Sequence, residues 1–517
     1  MLAINPPPWR LQEFERDLAI EEIGTLACRA ARWDHDKIVV DGAVPTRAIQ
    51  KLQHRLALAS EIVTPQGARL PTTQHLLEQA AGAGGRKTTS YALHSLHPYK
   101  GKFYPQLARA LLNACGVAER AKVLDPFAGC GTTVLEAGLL GMRGIGVDAN
   151  PLAVLVAQTK LRVLRREPDE LRAALKRLVR LPSREHPLPD ASYLERWVPE
   201  QNLRYLRRLR TGIANIGDAD ARDLALVCLS SVLRLGSYQE PAQLRVLRRP
   251  LGADVPNLGE LFRNALEGTL RAVEGARTVG AVNWSRFAMA PTRMIAGDSR
   301  SLLSSLRHHR RGSFDAVITS PPYANALPYI DTDRLSLRAL GMLSDGGQQG
   351  AEKLQIGNRE VPDREIRRLD VEVARELRHG HLPKALRDLL IQAYRVTREP
   401  TSGFRKRRTP ALLFSYFRDM KSVLHQVAAL LRPGAPAVFI VGDSSIAGPG
   451  GSTLRVPTGA LLTELAAGAG LELTATLDKR LTSYGASSTV HQRNAMPGER
   501  VLIFRRAEAA HTQPNLR

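Results

Sequence analysis

Two short runs in this sequence hold residue types that could do chemistry. The first is TSPPY at Thr319–Tyr323, where an apolar stretch, FDAVIT, stops abruptly. Proline fixes its own φ, removes an N–H donor and pushes the residue before it out of the helical region. Pro321 and Pro322 therefore force a rigid, extended corner just past a strand, led by the hydroxyl of Ser320 and ended by the ring of Tyr323. A corner that stiff is suited to hold something. The second run is DPFAGCGTT, Asp125 to Thr133, which ends another apolar stretch. Glycines at such a turn let backbone pass close to a ligand, and the helix that follows offers amide donors to an anion.

Asp148 closes the next apolar run, where a carboxylate can accept hydrogen bonds from a ribose diol. The turn is not the GxGxxG of a dinucleotide site, because Gly131 is followed by Thr132, Thr133 and Val134. Nor is it a P-loop, since no Gly-Lys-Ser/Thr occurs. It suits a smaller ligand with one carboxylate and one ribose, and S-adenosylmethionine has both. Asp298, at the end of the third run, would then bind the adenine amino group.

Positioning these residues requires a sheet. Seven short apolar runs read as strands: KVLD, GIGVD, RMIAGD (293–298), FDAVIT (314–319), APAVFIVGD (435–443), LELTATLD (471–478) and RVLIFRR (500–506). Helical patterns separate most of them, which is the signature of right-handed βαβ crossovers and a parallel sheet. The last two lack an intervening helical pattern and are expected to pair as an antiparallel hairpin. The expected fold is α/β: a Rossmann-like, seven-stranded, doubly wound sheet closed by that hairpin. Residues 1–90 read as mostly helical and end in the flexible AAGAGGRKTTS. The sheet domain takes 91–160, 291–333 and 411–508; two basic helical insertions occupy 161–290 and 334–410, and 509–517 is a tail.

Composition narrows the partners. With 517 residues, 44% of them hydrophobic, the chain can bury a large core and build more than one domain. Its 73 Lys and Arg against 50 Asp and Glu give a formal charge of +23, which makes a polyanion the natural partner. No apolar run approaches the roughly 18 residues that span a bilayer, and the start lacks a secretory pattern, so a cytoplasmic protein is expected. Cys28, Cys115, Cys130 and Cys228 are far apart, and His94-x-x-His97 has no nearby third ligand, so neither disulfide nor metal is expected.

DPFAGCGTT together with TSPPY resembles the S-adenosylmethionine-dependent DNA methyltransferases that modify exocyclic amines, and within them the cytosine-N4 branch. HSLHPYKGKFYPQLARALL (His94–Leu112) is similar to that family's motif X, which packs beside the cofactor. The resemblance implies S-adenosylmethionine contacts at Lys102, Phe103, Asp125, Phe127, Gly129, Gly131, Thr132, Asp148 and Asp298. It implies catalysis at Ser320, Pro321, Pro322 and Tyr323. The Ser320 hydroxyl and the Pro321 carbonyl would accept hydrogen bonds from the amine, Pro322 would hold the corner, and Tyr323 would stack on a flipped base. Ser320 favours cytosine N4 over adenine N6, whose enzymes more often carry Asp or Asn there. Carbon-5 methylation needs a Pro-Cys nucleophile, and none of the four cysteines follows a proline. The alternatives are an RNA enzyme of the tRNA guanine-N2 type and, more remotely, a nucleic-acid-binding protein without turnover. Double-stranded DNA is the expected partner, gripped first by Arg405, Lys406, Arg407 and Arg408 beside Phe404, with the Arg-rich helices near Arg204–Arg210 next. A cognate restriction endonuclease is a candidate second partner.

Overall fold

The computed structural model describes residues 1–517 apart from 100, 242, 244–245, 307–308, 310, 325–328, 344–346, 381, 399–402, 449–451, 480–498 and 509–517. Internal packing divides the chain into two units, Met1–Ala296 with Pro328–Ala351, and Gly297–Leu327 with Glu352–Arg517.

The N-terminal region corrects the sequence reading. Helices Glu13–Ala27, Thr46–Arg55 and Thr73–Ala80 are present, but five strands thread between and around them. These are β1 (Leu2–Asn5), β2 (Ala31–Asp34), β3 (Lys37–Val40), β4 (Glu61–Val63) and β5 (Arg69–Pro71), in the order β2-β3-β1-β4-β5. Every pairing is antiparallel. Strands of three or four residues are too short for a two-residue alternation to stand out against helical patterning nearby. Burial of Leu2, Ile4, Ile38 and Ile62 fixes their register.

All seven expected strands are present: β6 (Lys122–Asp125), β7 (Arg143–Asp148), β8 (Arg293–Ala296), β9 (Ala316–Thr319), β10 (Pro436–Gly442), β13 (Leu471–Lys479) and β14 (Glu499–Arg506). Between β10 and β13 a small hairpin, β11 (Ser444–Ala447) with β12 (Thr453–Val456), stands outside the main sheet. The main order is β13-β14-β10-β9-β6-β7-β8, so the chain winds outward from β6 to β8 and then restarts at β9. β6, β7 and β8 run parallel, as do β9 and β10, while β14 is antiparallel to both β10 and β13. The C-terminal hairpin is as expected. β9 and β10 are buried at every residue, because helices cover both faces of a parallel sheet and leave no wet side.

The first unit adds a helical layer from the first insertion, including Glu200–Ala214, Ala219–Leu233 and Leu258–Arg277, packed into one apolar cluster. The second insertion is not one block: its residues 334–351 pack with the first unit and 352–410 with the second. Among the described residues no helix is long and apolar enough to cross a membrane.

Candidate active site

In the first unit, β6 delivers Asp125 to the start of the glycine turn, buried, with its carboxylate accepting the Phe127 amide at 3.0 Å. Gly129 and Gly131 both have positive φ, +49° and +82°. A Cβ on Gly131 would lie 2.7 Å from Ala157 Cβ, so only glycine lets the turn press onto the helix Pro151–Val163. A Cβ on Gly129 would meet the Tyr99 ring at 3.0 Å, which places the motif-X segment over this turn. Helix Thr132–Leu139 begins directly after Gly131, so Thr132 stands in its first turn, buried, while Phe127 is half-buried.

Asp148 ties the end of β7 to the turn. One carboxylate oxygen accepts the Gly129 amide at 2.8 Å and the other accepts the Asn150 amide at 2.8 Å. Burial pushes this carboxyl above its ordinary range. Beneath the turn the buried Lys160 ammonium donates to the Cys130 carbonyl at 3.0 Å. The turn, Asp125 and Asp148 therefore form one hydrogen-bonded cradle.

Asn150 extends that cradle to a residue the sequence reading passed over. Its side-chain amide donates to Asp333 at 2.8 Å, and burial raises the Asp333 carboxyl to about 6. No spacing rule could have found this pair, whose members are separated by 183 positions.

Lys102 is half-buried and donates to the His94 carbonyl at 2.7 Å, so its ammonium braces its own segment; Phe103 is half-buried. His94 and His97 diverge. His94 meets Glu136 at 2.8 Å, and His97 meets the Ser230 hydroxyl at 2.9 Å. Glu136 also accepts from Arg109 at 2.6 Å and from the Tyr91 hydroxyl at 2.9 Å. The Arg109 guanidinium holds Glu136 ionised against its burial, while burial lowers His94 to about 4, so the imidazole is neutral and donates through Nε2. Among the described residues no group of three His, Cys, Asp or Glu side chains could hold a metal ion.

In the second unit, β9 runs straight into the corner. Ser320 is half-buried, Pro321 buried, and Pro322 and Tyr323 half-buried. Two residues outside every motif hold it. Tyr416, on the helix Thr409–Leu430, donates its hydroxyl to the Pro322 carbonyl at 2.8 Å, and the Tyr323 hydroxyl donates to Glu499, the first residue of β14.

Asp298, the expected adenine contact, is half-buried and has partners within the protein. The Arg300 guanidinium grips it at 2.8–3.0 Å, the Arg300 amide donates to it at 2.8 Å, and Arg300 reaches on to Asp419 at 3.1 Å. Beyond Arg300 opens a cavity of about 610 Å³, lined by Asn358, Ser415, Tyr416, Arg418 and Asp419 among others.

The basic cluster divides. Arg405 and Arg407 are exposed and Lys406 is half-buried. Arg408 turns inward: it stacks on Phe404 with 4.0 Å to the ring centre, pairs with Asp363 and donates to the Val361 carbonyl at 3.1 Å. In the first unit, the arginines of Glu200–Ala214 are internal ties. Arg204 pairs with Glu200 at 3.0 Å, Arg207 with Glu195 at 3.4 Å, Arg208 donates to the Pro182 carbonyl at 3.0 Å, and Arg210 donates to that of Ala339.

Residues 97–171, which contain the turn, Asp148 and most of motif X, match the family described as UPF0020: RMKL-like, methyltransferase domain. The likeness is to methyltransferases. Type II methyltransferase M.BsoBI of Geobacillus stearothermophilus is 25% identical over 297 residues, 52% of this chain and 57% of that protein. Type II methyltransferase M.AvaI of Anabaena variabilis is 23% identical over 399 residues, 69% of this chain and 77% of that one. A tRNA (guanine(10)-N2)-dimethyltransferase of Methanothermobacter thermautotrophicus is 46% identical over a stretch of 50 residues, 10% of this chain and 15% of its own length. This chain thus spans little more than half of the M.BsoBI methyltransferase.

Proposed function

We propose that this chain is a site-specific DNA methyltransferase that transfers a methyl group from S-adenosylmethionine to the exocyclic N4 amine of a cytosine flipped out of duplex DNA. One observation carries the reading: strands of a single sheet bear both a glycine turn tied to Asp148 and a rigid corner led by Ser320. The residues fit the cofactor. The Gly131 turn has no room for a side chain, the following helix supplies amides for a carboxylate, and Asp148 keeps lone pairs for a ribose diol. When bound, S-adenosylmethionine supplies an electrophilic methyl carbon on a sulfonium.

The protein's own part is to make a poor nucleophile attack. The amine lone pair of cytosine is delocalised into the ring. Acceptors at Ser320 Oγ and the Pro321 carbonyl draw the NH2 group toward tetrahedral geometry and free that pair. The prolines keep these acceptors in place, so little reorganisation accompanies arrival of the base, an effect worth several kcal/mol of barrier. Flipping costs a few kcal/mol, and stacking on Tyr323 returns part of it. Arg405, Lys406 and Arg407 contact phosphate. The two Type II relatives support DNA as the acceptor, and a cognate endonuclease is the partner such enzymes imply.

The short match to the tRNA enzyme favours one second reading, transfer to an exocyclic amine of RNA. Incubation with methyl-labelled cofactor and either duplex DNA or RNA, followed by nucleoside analysis, separates the two. N4-methylcytosine in DNA is expected. N6-methyladenine would keep the chemistry and change the base; label only on carbon 5 of cytosine, or only in RNA, would overturn the proposal.

A further inference from the structure

We infer that Tyr416 and Glu499 are positioning residues that set the plane of the Tyr323 ring, and with it the stacking of the target base; this rests on the function proposed above. The corner is braced at two points that its own residues cannot supply. Prolines fix φ but leave ψ of Pro322 to its surroundings, and that torsion decides where the Tyr323 side chain leaves the backbone. Tyr416 is 1% exposed and stands in the interior of a 22-residue helix, and its hydroxyl holds the Pro322 carbonyl at 2.8 Å. The peptide between Pro322 and Tyr323 is thereby fixed at the near end of the ring.

Glu499 fixes the far end. It accepts from the Tyr323 hydroxyl, a bond strengthened by the carboxylate charge. Its own backbone is held on both sides, opposite Gly442 of β10 and Lys479 of β13. A phenylalanine at position 323 would stack as well as a tyrosine, so the hydroxyl and its carboxylate serve orientation rather than contact. A ring pinned at both ends presents one face at a fixed angle, and little freedom is lost when a base lies on it. The partners lie 94 and 176 positions from the corner in sequence, so no motif contains them.

The test is single-turnover methylation of duplex DNA, with cofactor affinity and melting temperature measured in parallel. Tyr416→Phe and Glu499→Ala should each slow the chemical step by about 10- to 100-fold while cofactor Kd stays within about twofold. Glu499→Gln keeps an acceptor and should recover most of the Glu499→Ala loss. In a Tyr323→Phe background, Glu499→Ala should add almost nothing, because the bond through which it holds the ring has been removed. Additive losses in that cycle, or a loss that follows melting temperature and cofactor affinity, would reduce both residues to ordinary packing and overturn the inference. Wild-type rates in Tyr416→Phe and Glu499→Ala would do the same and leave the proposed function standing. A wild-type chain that labels no nucleic acid would sink both.

Discussion

Ser320 and Asp148 each end an apolar run, and in a parallel sheet the carboxyl ends of strands are where ligands bind. Asp298 ends a run too, but which partners such a carboxylate takes depends on residues that local patterning does not reveal, here Arg300 and Asp419. Predictions follow from that contrast. On the proposed function, Asp148→Asn should weaken cofactor binding by about 10-fold or more, through lost ribose and Gly129 amide bonds, whereas Asp298→Asn should change it less than about threefold; calorimetric titration measures both. On the proposed function, Ser320→Ala removes an acceptor needed only as the amine reacts, so turnover should fall by about 10²- to 10³-fold with cofactor affinity nearly intact. Equal loss of both would make the corner merely structural. Gly131→Ala forces a Cβ to 2.7 Å from Ala157 at a φ of +82°, and should cost about 1–3 kcal/mol in denaturant unfolding while lowering cofactor affinity.

At the scale of elements, legibility followed length and repetition. The seven strands of the main sheet announced themselves as apolar runs between turn signals, and β10 did so most clearly because all seven of its residues are buried. β1 to β5 did not, since three or four residues cannot establish a period and their sheet forms by pairing distant segments. The Arg-rich helix Glu200–Ala214 shows the other limit, because sequence gives charge but not whether it is already matched. Arg204 and Arg207 face carboxylates, and Arg208 and Arg210 face carbonyls. Electrostatic binding to DNA depends on phosphates neutralised by available cations, each adding about one unit to the slope of log affinity against log salt. Neutralising Arg405 and Lys406 together should therefore flatten that slope by about two units. Arg204→Gln with Arg207→Gln should leave the slope unchanged and lower the melting temperature slightly. A slope that responds only to the second pair would move the DNA-facing surface to the first insertion.

For the chain as a whole, a net +23 says that a polyanion is attracted but not how the fold tolerates the charges it buries. Several titratable groups of the first unit have displaced ionisation, and five of them, three carboxyls and two imidazoles, act in opposite directions. Desolvation raises Glu22 and Glu78 to about 7 and Asp333 to about 6, while it lowers His94 to about 4 and His97 to about 3. A carboxyl raised in the folded state contributes stability that is complete below its unfolded pKa, about 4 to 4.5, and is lost as pH climbs through the folded value. An imidazole lowered in the folded state costs nothing above 6.5 and destabilises as pH falls from there toward 4. Between pH 5 and 6 unfolding releases protons from these three carboxyls and takes up protons on the two imidazoles, so their slopes oppose each other and offset in large part. Removing one carboxyl exposes the hidden slope. Glu78 is 2% exposed and accepts from Gln74 and Gln106 at 2.7 Å each, and glutamine at this position can still accept from both without ever ionising. Glu78→Gln should therefore gain on the wild type by about 3 kcal/mol as pH rises from 4.5 to 7.5, which is about 1.4 kcal/mol for each pKa unit of displacement. Denaturant titrations at three pH values measure the difference directly. A gap between the two proteins that stays constant across that range would mean that Glu78 is already ionised at pH 5, with its two amide donors outweighing the cost of burial.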